Sequence, residues 1–292
     1  NLSDKLSLDA KITYFLQDAK NRPTQGTEGV VAYVYPLARN IDVNDLKNYQ
    51  DLENPIDPTN PYRVIAPTSS GGNPYWMLEN DYNGDTRTRV TGFAKLEYKF
   101  TDWLSAFARV GTDAVQQDTE AYEATGHHFF PDGRIRFSKN DRTETNYDFL
   151  LMFNKDVGGN FNISANAGGN MRHSTFISSS TNGYDFKIPG KYFLDNTDGS
   201  QLTATQSDLI EKRVNSVYGS TSFSYNDMVY LDLTARNDWS SALAAENRSY
   251  FYSSASVSVL LNEIFNLQES NINLLKLKAS TASVGNDTGA QQ

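Results

Sequence analysis

The chain has 292 residues, with 26 Lys and Arg against 35 Asp and Glu and a formal net charge of −9. That balance argues against a nucleic-acid partner, which would be met by a basic stripe. The absence of Cys excludes a disulfide scaffold, a thiolate metal site and a Cys nucleophile.

Only 38% of residues are hydrophobic, yet 12% are aromatic, led by 17 Tyr and 16 Phe. With abundant Ser, Thr and Asn, this favours strands and turns over soluble helices. No run of about 18 apolar residues occurs, so no helix is expected to span a membrane. A spanning strand needs only about 9–11 residues and hides its apolar wall by alternation, so a β-barrel stays open. The opening NLSDKLSLDA has no charged start before an apolar run, so no signal peptide is expected in this stretch. The chain reads as cut from something longer.

In chain order, Leu6, Leu8, Ala10, Ile12 and Tyr14 alternate with polar residues and form a first strand. A long irregular stretch follows, about residues 17–85, within which Asp42 caps a short helix up to Tyr49. Arg87 to Phe100 is the second strand, a turn at Thr101-Asp102 follows, and Trp103 to Gln116 is the third. A loop of about 25 residues, 118–142, carries His127, His128, Phe129 and Phe130. Thr145 to Lys155 and Phe161 to Ser174 flank a tight turn over 156–160. After a loop over about 175–207 come Ile210 to Tyr225, a turn at Asn226-Asp227, and Met228 to Asn237. Tyr250 to Leu261 and Leu275 to Val284 complete nine strands.

The order of connections decides the architecture. Alternate connections of an antiparallel up-and-down sheet lie at the same end. The short turns at 101–102, 156–160 and 226–227 therefore share one end. The long loops over 17–85, 118–142 and 175–207, with the loop from Trp239 to Ser249, share the other. Short turns at one end and long loops at the other are the layout of an outer-membrane barrel. Strands of about 11–15 residues also exceed the usual 5–6. The fold class is therefore all-β, a transmembrane antiparallel up-and-down β-barrel with long extracellular loops. Nine strands are too few and too odd in number for a complete bacterial barrel, so residues 1–292 read as part of one barrel domain. The competing reading is a soluble all-β module, a carbohydrate-binding or adhesin sandwich.

TARNDWSS, then NRSYFYSSASVSV, then LLKLKASTASVGND resemble the SusC/RagA family of TonB-dependent outer-membrane transporters. The matching positions are Arg236, Asp238, Ser240 and Ser241, then Tyr250, Phe251, Ser253 and Ser254, then Lys276, Leu277, Lys278, Ser280, Gly285 and Asn286. NPYW at Asn73 to Trp76 and the stretch from Leu96 to Asp113 look like mid-barrel strands of that family too. Where the family often carries Pro in its Phe-Pro-Ser segment, this chain has Tyr252 and Ser253. The resemblance implies an active importer of large nutrients in the outer membrane of a Gram-negative, Bacteroidetes-type cell. Its substrates would be glycans and sometimes peptides. Its partners would be a SusD-like surface lipoprotein, TonB and the outer-membrane lipid. The plug domain and TonB box that TonB acts on are not in this stretch. A passive porin is the alternative within the membrane. The resemblance implies neither enzyme activity nor a cofactor.

Among residues that could carry chemistry, loop position favours contact with a substrate or partner. Tyr75, Trp76, Tyr82 and Trp239 offer flat rings for stacking. Against this stands the placement of aromatics in girdles at both interfaces of a membrane barrel. Trp103, Tyr225 and Tyr230 beside the short turns read as such a girdle. His127 and His128 are adjacent, so on a strand they would point to opposite faces and make a poor joint metal site. Ligand or partner contact suits them better. His173 near a strand end reads as a solvated polar residue. Asp81 to Asp85 starts like a calcium loop, but its twelfth position is Gly92, so an Asn-Gly turn explains it better. No nucleophile elbow or phosphate-cradling Gly loop occurs. No catalytic, cofactor or metal residue is assigned. Arg89, Lys95, Glu97, Lys99, Arg109, Asp113 and Asp232 fall on the polar strand faces and would line a lumen.

Overall fold

The computed structural model describes residues 2–49, 72–207, 209–267 and 272–289. One sheet dominates, with neighbouring strands antiparallel throughout. Its strands are β1 (Leu6–Ala19), β2 (Tyr82–Thr101), β3 (Leu104–Glu123), β4 (Arg134–Val157), β5 (Phe161–Tyr184), β6 (Thr203–Gln206), β7 (Ile210–Tyr225), β8 (Val229–Ser240), β9 (Ser249–Leu260) and β10 (Lys276–Ala282). Nine of them follow chain order side by side, and β6 pairs with β5 alone. Among the described residues three short α-helices sit in the connections: α1 (Val30–Val34), α2 (Pro74–Asn80) and α3 (Leu261–Ile264).

Register carries the alternation of each strand across the whole sheet. Leu8 faces Leu96, Leu96 faces Ala108, and Ala108 faces Phe149. Farther on, Phe223 faces Leu231, Leu231 faces Val257, and Val259 faces Leu277. A period of two thus becomes one continuous apolar face. Much of that face is uncovered: Ile12 is 79% exposed, Phe149 53%, Val217 58% and Leu277 62%. An open apolar surface of this extent far exceeds the few hundred Å² that a water-soluble monomer tolerates. The opposite face carries Asp9, Lys95, Arg109, Asp148, Asp232 and Arg236 in the same registers. Some of these charges pair across strands, as Arg109 with Asp148, and others along one strand, as Lys95 with Glu97 and Arg236 with Asp238, which a wall facing water permits.

The short turns are built for tightness. Gly158 and Gly159 both take positive φ, 66° and 81°, and reverse the chain between β4 and β5. Asn226 and Asp227 do the same at 50° and 56°, the twist a hairpin between right-handed strands favours. With the Asp102-Trp103 connection, these turns share one end of the sheet, as the sequence predicts.

The strands are longer than the sequence pattern alone indicates. β4 and β5 have 24 residues each. The loop expected over 118–142 shrinks to residues 124–133, because β3 and β4 stay paired from Leu104–Phe153 out to Glu123–Arg134. The loop expected over 175–207 starts only after Tyr184 and contains the unforeseen β6. β1 likewise extends to Ala19, and β2 starts at Tyr82. These outer extensions are mostly polar on both faces, with Ile135, Phe137, Phe176 and Ile177 as exceptions, so the two-sided alternation that marks a membrane-facing strand fades there while the backbone ladder continues. The expected Asn83-Gly84 turn lies inside β2; Gly84 instead leaves room for the Tyr82 hydroxyl and the Ala19 carbonyl. The helix expected after Asp42 is a 3-10 turn over Val43–Lys47, with the Asp42 carboxylate accepting from the Asn44 amide at 2.8 Å. Part of the first long loop, 50–71, lies outside the described residues.

Candidate functional site

At the long-loop end, residues from three connections fold over the sheet as a small cap. Its apolar core joins Tyr33 of α1, Trp76 and Met77 of α2, and Ala124 after β3, flanked by Val30, Tyr49 and Tyr192. The NPYW segment, expected as a strand, instead opens a helix: Asn73 starts α2 by accepting from the Tyr75 and Trp76 amides at 3.0 and 3.2 Å, and Pro74 follows at the first helical turn. The Asn73 amide group also donates to the Leu46 carbonyl at 2.8 Å. The cap is therefore tied together through a capping residue.

Beneath it lies a buried charged cluster. The Arg134 guanidinium donates to both Glu123 carboxylate oxygens, Nε to Oε2 at 2.8 Å and Nη2 to Oε1 at 2.7 Å. Both side chains are only 10% exposed. Glu28 and Arg136 approach the same pair at 3.4 and 3.5 Å, and the Phe130 ring lies 3.6 Å from the guanidinium carbon. Asp81 accepts from the Ala124 amide at 3.1 Å and lies 3.6 Å from His127 Nε2. Burial, reinforced by the nearby Glu123 carboxylate, pushes the Asp81 carboxyl up to about 8. Burial pushes His127 down to about 4. At pH 7 both groups are thus neutral, and the cluster's one full ion pair is Glu123–Arg134 with its satellites. Among the described residues, no group of three or more His, Asp or Glu has the geometry to hold a metal ion.

The residues singled out by loop position divide sharply. Trp76 and His127 are each 2% exposed and pack on one another with ring centroids 6.1 Å apart. They build the cap and are closed to a ligand. Tyr75 is half-buried beneath the Lys47 ammonium, 5.6 Å from its ring. Tyr82 stacks on Tyr122 at 5.5 Å, and Tyr122 on Tyr192 at 3.8 Å. His128 is exposed and meets Phe129 edge-on at 5.0 Å. Trp239 stands apart: it shares a face of β8 with Leu231 and Leu233, at the loop end of the apolar surface. At the opposite end of that surface Trp103 meets Phe153 at 5.5 Å, and Phe161 meets Tyr225 at 4.7 Å. Tyr230 instead lies on the polar face and donates to the Asp227 carbonyl at 3.0 Å. His173 lies inside β5, 3.1 Å from Glu211.

The polar face has two tiers. Near the middle of the strands it is charged and cross-linked. Arg89 is forked onto Asp113 at 2.8 and 2.5 Å, and Arg109 reaches Asp148 at 2.8 Å. Asn170 also donates to Asp148, at 2.7 Å. On β7 to β9 the segment carrying the family resemblance forms a lattice. Arg236 donates to Asp238 at 2.8 Å and to Ser216 at 2.9 Å, and the Tyr252 hydroxyl donates to Asp238 at 2.7 Å. After β10 the chain folds over this lattice, where Asp287 accepts from Ser240 at 2.6 Å and from Lys212 at 2.7 Å. These motif residues therefore hold the wall together.

Farther toward the loops the charges give way. Ser138 and Asn140 of β4, Ser178, Ser179 and Ser180 of β5, Thr205 and Gln206 of β6, and Ser207 line a recess of about 450 Å³. These positions carry no motif, and the expected loops over 118–142 and 175–207 concealed them. No period-two signal marks them, because Ser179 and Thr181 between them are polar as well.

No protein-family model and no curated protein matches the chain. Solved structures do. A chain of the RagAB peptide transporter superposes with a TM-score of 0.76 at 18% identity, covering 99% of this chain and 32% of that one. The RagAB peptide importer in its "closed-closed" state gives 0.74 at 19%, covering 99% and 32%. The "open-open" state gives 0.72 at 19%, covering 96% and 30%. The chain thus spans about a third of the length of these neighbours, and its fold is that of a stretch of a RagAB-like transporter barrel wall.

Proposed function

We propose that this chain forms part of the barrel wall of an outer-membrane active importer of large nutrients, glycans or peptides. In this reading the importer is energised through TonB and works with a SusD-like surface lipoprotein. The observation that carries it is the two-faced sheet. One face is apolar and open across nine strands, as lipid requires, while the other is a cross-linked polar wall suited to a lumen. The asymmetry of turns and loops orients it, with the cap on the extracellular side. The RagAB fold supports an importer with a separate partner subunit. The wall's role is to bind and guide cargo; it is not an enzyme.

The test is uptake by cells that carry or lack the full-length protein. Labelled oligopeptides and oligosaccharides should enter only the former, and collapsing the proton-motive force should stop entry. Entry that persists after collapse would identify a passive pore. Entry that ignores loss of the protein would refute the transport reading.

A further inference from the structure

We propose that residues 283–288, which carry the Gly285-Asn286-Asp287 segment, form a strap with two seats. In the observed seat the strap crosses the polar face of β7 to β9 and covers part of it. In the second seat it joins the wall, lengthening β10 along an open edge of β9. The proposal stands on strand geometry; only its bearing on transport rests on the importer reading above. Three observations carry it.

First, a single side chain pins the strap. Val284 is 90% exposed, and Ser283, Gly285, Asn286 and Thr288 are exposed too. Asp287 alone reaches inward. Its carboxylate takes the Lys212 ammonium at 2.7 Å and the Ser240 hydroxyl at 2.6 Å, and Lys212 also donates to the Thr288 carbonyl at 2.7 Å. A segment with so few buried contacts opens at low cost.

Second, β9 offers an unused place for it. β10 leaves β9 at Ala282–Ser254, with one further bond from the Ser283 amide to the Ser253 carbonyl at 2.9 Å. β9 itself runs out to Ser249, paired with β8 along its other edge. There the Ser240 amide bonds the Arg248 carbonyl at 3.0 Å, so the hydrogen-bonded pairs with β8 fall at the even positions of β9. Alternation then turns the Phe251 N–H and C=O toward the β10 side, where no strand meets them among the described residues. Such an edge draws another strand. Continuing the β10 register sets Gly285 opposite Phe251 and Asp287 opposite Ser249.

Third, Gly285 is required by one seat and indifferent in the other. A Cβ at this position would lie 2.8 Å from the Tyr250 ring and 3.2 Å from the Tyr252 ring, so glycine is what lets the strap cross them. In the second seat, position 285 turns to the opposite face beside Phe251, away from both tyrosines. The two seats therefore exchange one buried ion pair for main-chain bonds along β9. In the first seat Asp287 caps Lys212 and Ser240; in the second the polar wall from β7 to β9 lies open to the lumen.

The experiment uses the full-length protein in lipid nanodiscs, with hydrogen exchange read at single amides. Gly285→Ala crowds Tyr250, and Asp287→Asn removes the pin. Each should slow exchange of the Phe251 amide tenfold or more, as β10 zips along β9. A strap that only came loose would leave Phe251 exchanging as in the wild type, and that result overturns the second seat. Wild-type Phe251 exchanging as slowly as Val257, whose partner Ala279 is in place, overturns the open edge. Ser240→Cys with Asp287→Cys, in a background without other Cys, allows a short bis-methanethiosulfonate linker to hold the first seat. Linked, this variant should keep Phe251 as fast as the wild type; unlinked, it should be slow. The same rate with and without the linker overturns the switch. Heat-modifiable electrophoretic mobility confirms that each variant is folded. If Phe251 responds as expected while wild-type cells import nothing, the strap stands and the importer reading falls. If wild-type cells import labelled nutrient while Phe251 ignores every variant, the strap falls and the importer reading stands.

Discussion

Replacing Glu123 by Ala strands the Arg134 guanidinium beneath the cap. In the native cluster that guanidinium spends two short hydrogen bonds, at 2.8 and 2.7 Å, on Glu123, and both side chains are 10% exposed. The remaining acid, Glu28, is 3.4 Å away and 42% exposed, so it compensates weakly. Breaking a buried pair from one side costs about 3–5 kcal/mol, because the surviving charge stays desolvated. That cost falls on local opening of the cap, which native-state hydrogen exchange reads directly. The reporters are the Gly126 amide, bonded to the Pro131 carbonyl at 2.7 Å, and the Gly133 amide, bonded to the Phe130 carbonyl at 2.8 Å. At about 1.4 kcal/mol per tenfold, their exchange should quicken by about 100-fold to 4,000-fold. Adding Arg134→Met removes the orphaned charge and should recover most of the protection. Exchange within threefold of wild type in the single variant would refute the reasoning. So would a double variant that exchanges faster than the single one.

The pH response of the cap follows from two groups with opposite signs. Asp81 has a folded pKa of about 8 against an ordinary 3.8, so its contribution is full below about 3.8 and is lost as pH rises through 8. His127 has a folded pKa of about 4 against 6.5, so its contribution is full above 6.5 and is lost as pH falls through 4. Between about pH 4 and 6.5 the two slopes cancel, and from about 6.5 to 8 Asp81 alone should ease cap opening by about 2 kcal/mol. Hydrogen exchange across that range checks this, and Asp81→Asn should abolish the alkaline decline. Gly133→Ala should destabilise the cap by about 1–3 kcal/mol, because Gly133 has φ of 86° and a Cβ there would strike the Phe186 ring. Limited proteolysis between β3 and β4 should then accelerate. Leu231→Arg on the apolar face should cost about 2–4 kcal/mol of barrel stability in bilayers, whereas Thr234→Arg on the polar face should cost little. Urea-dependent unfolding of the full-length protein in lipid would reverse the assignment of faces if the two costs were reversed.

The wall was legible where physics writes it twice. In β8, Leu231 and Leu233 alternate with Asp232 and Thr234, and the Asn226-Asp227 turn fixes the register, so period and turn chemistry agree. In the outer halves of β4 and β5, residues such as Asp141, Lys139 and Ser179 replace the apolar side. With polar residues on both faces over this stretch, side-chain pattern does not separate a strand from a loop. The cap was legible only as positions. Trp76 and His127 draw attention as exposed loop residues would, yet a long loop can carry its own core, and only tertiary packing reveals that these two are inside it. Asp42 was readable as a cap because capping is local in sequence. The Glu123–Arg134 pair was not, because it depends on how far β3 and β4 remain paired.

The length of β4 has a further consequence for reach. Its apolar positions, Tyr147, Phe149, Leu151 and Phe153, end near the middle, so about 11 of its 24 residues, from Tyr147 to Val157, suffice for a bilayer crossing. The other half, about 13 residues at about 3.3 Å each, adds about 43 Å of paired strand. Tilted by about 40°, it rises about 30 Å clear of the lipid. In the proposed membrane setting the wall would continue beyond the bilayer as a parapet, with the recess between β4, β5 and β6 near its rim. On that proposal the bilayer would set the foundation of the structure without setting its height.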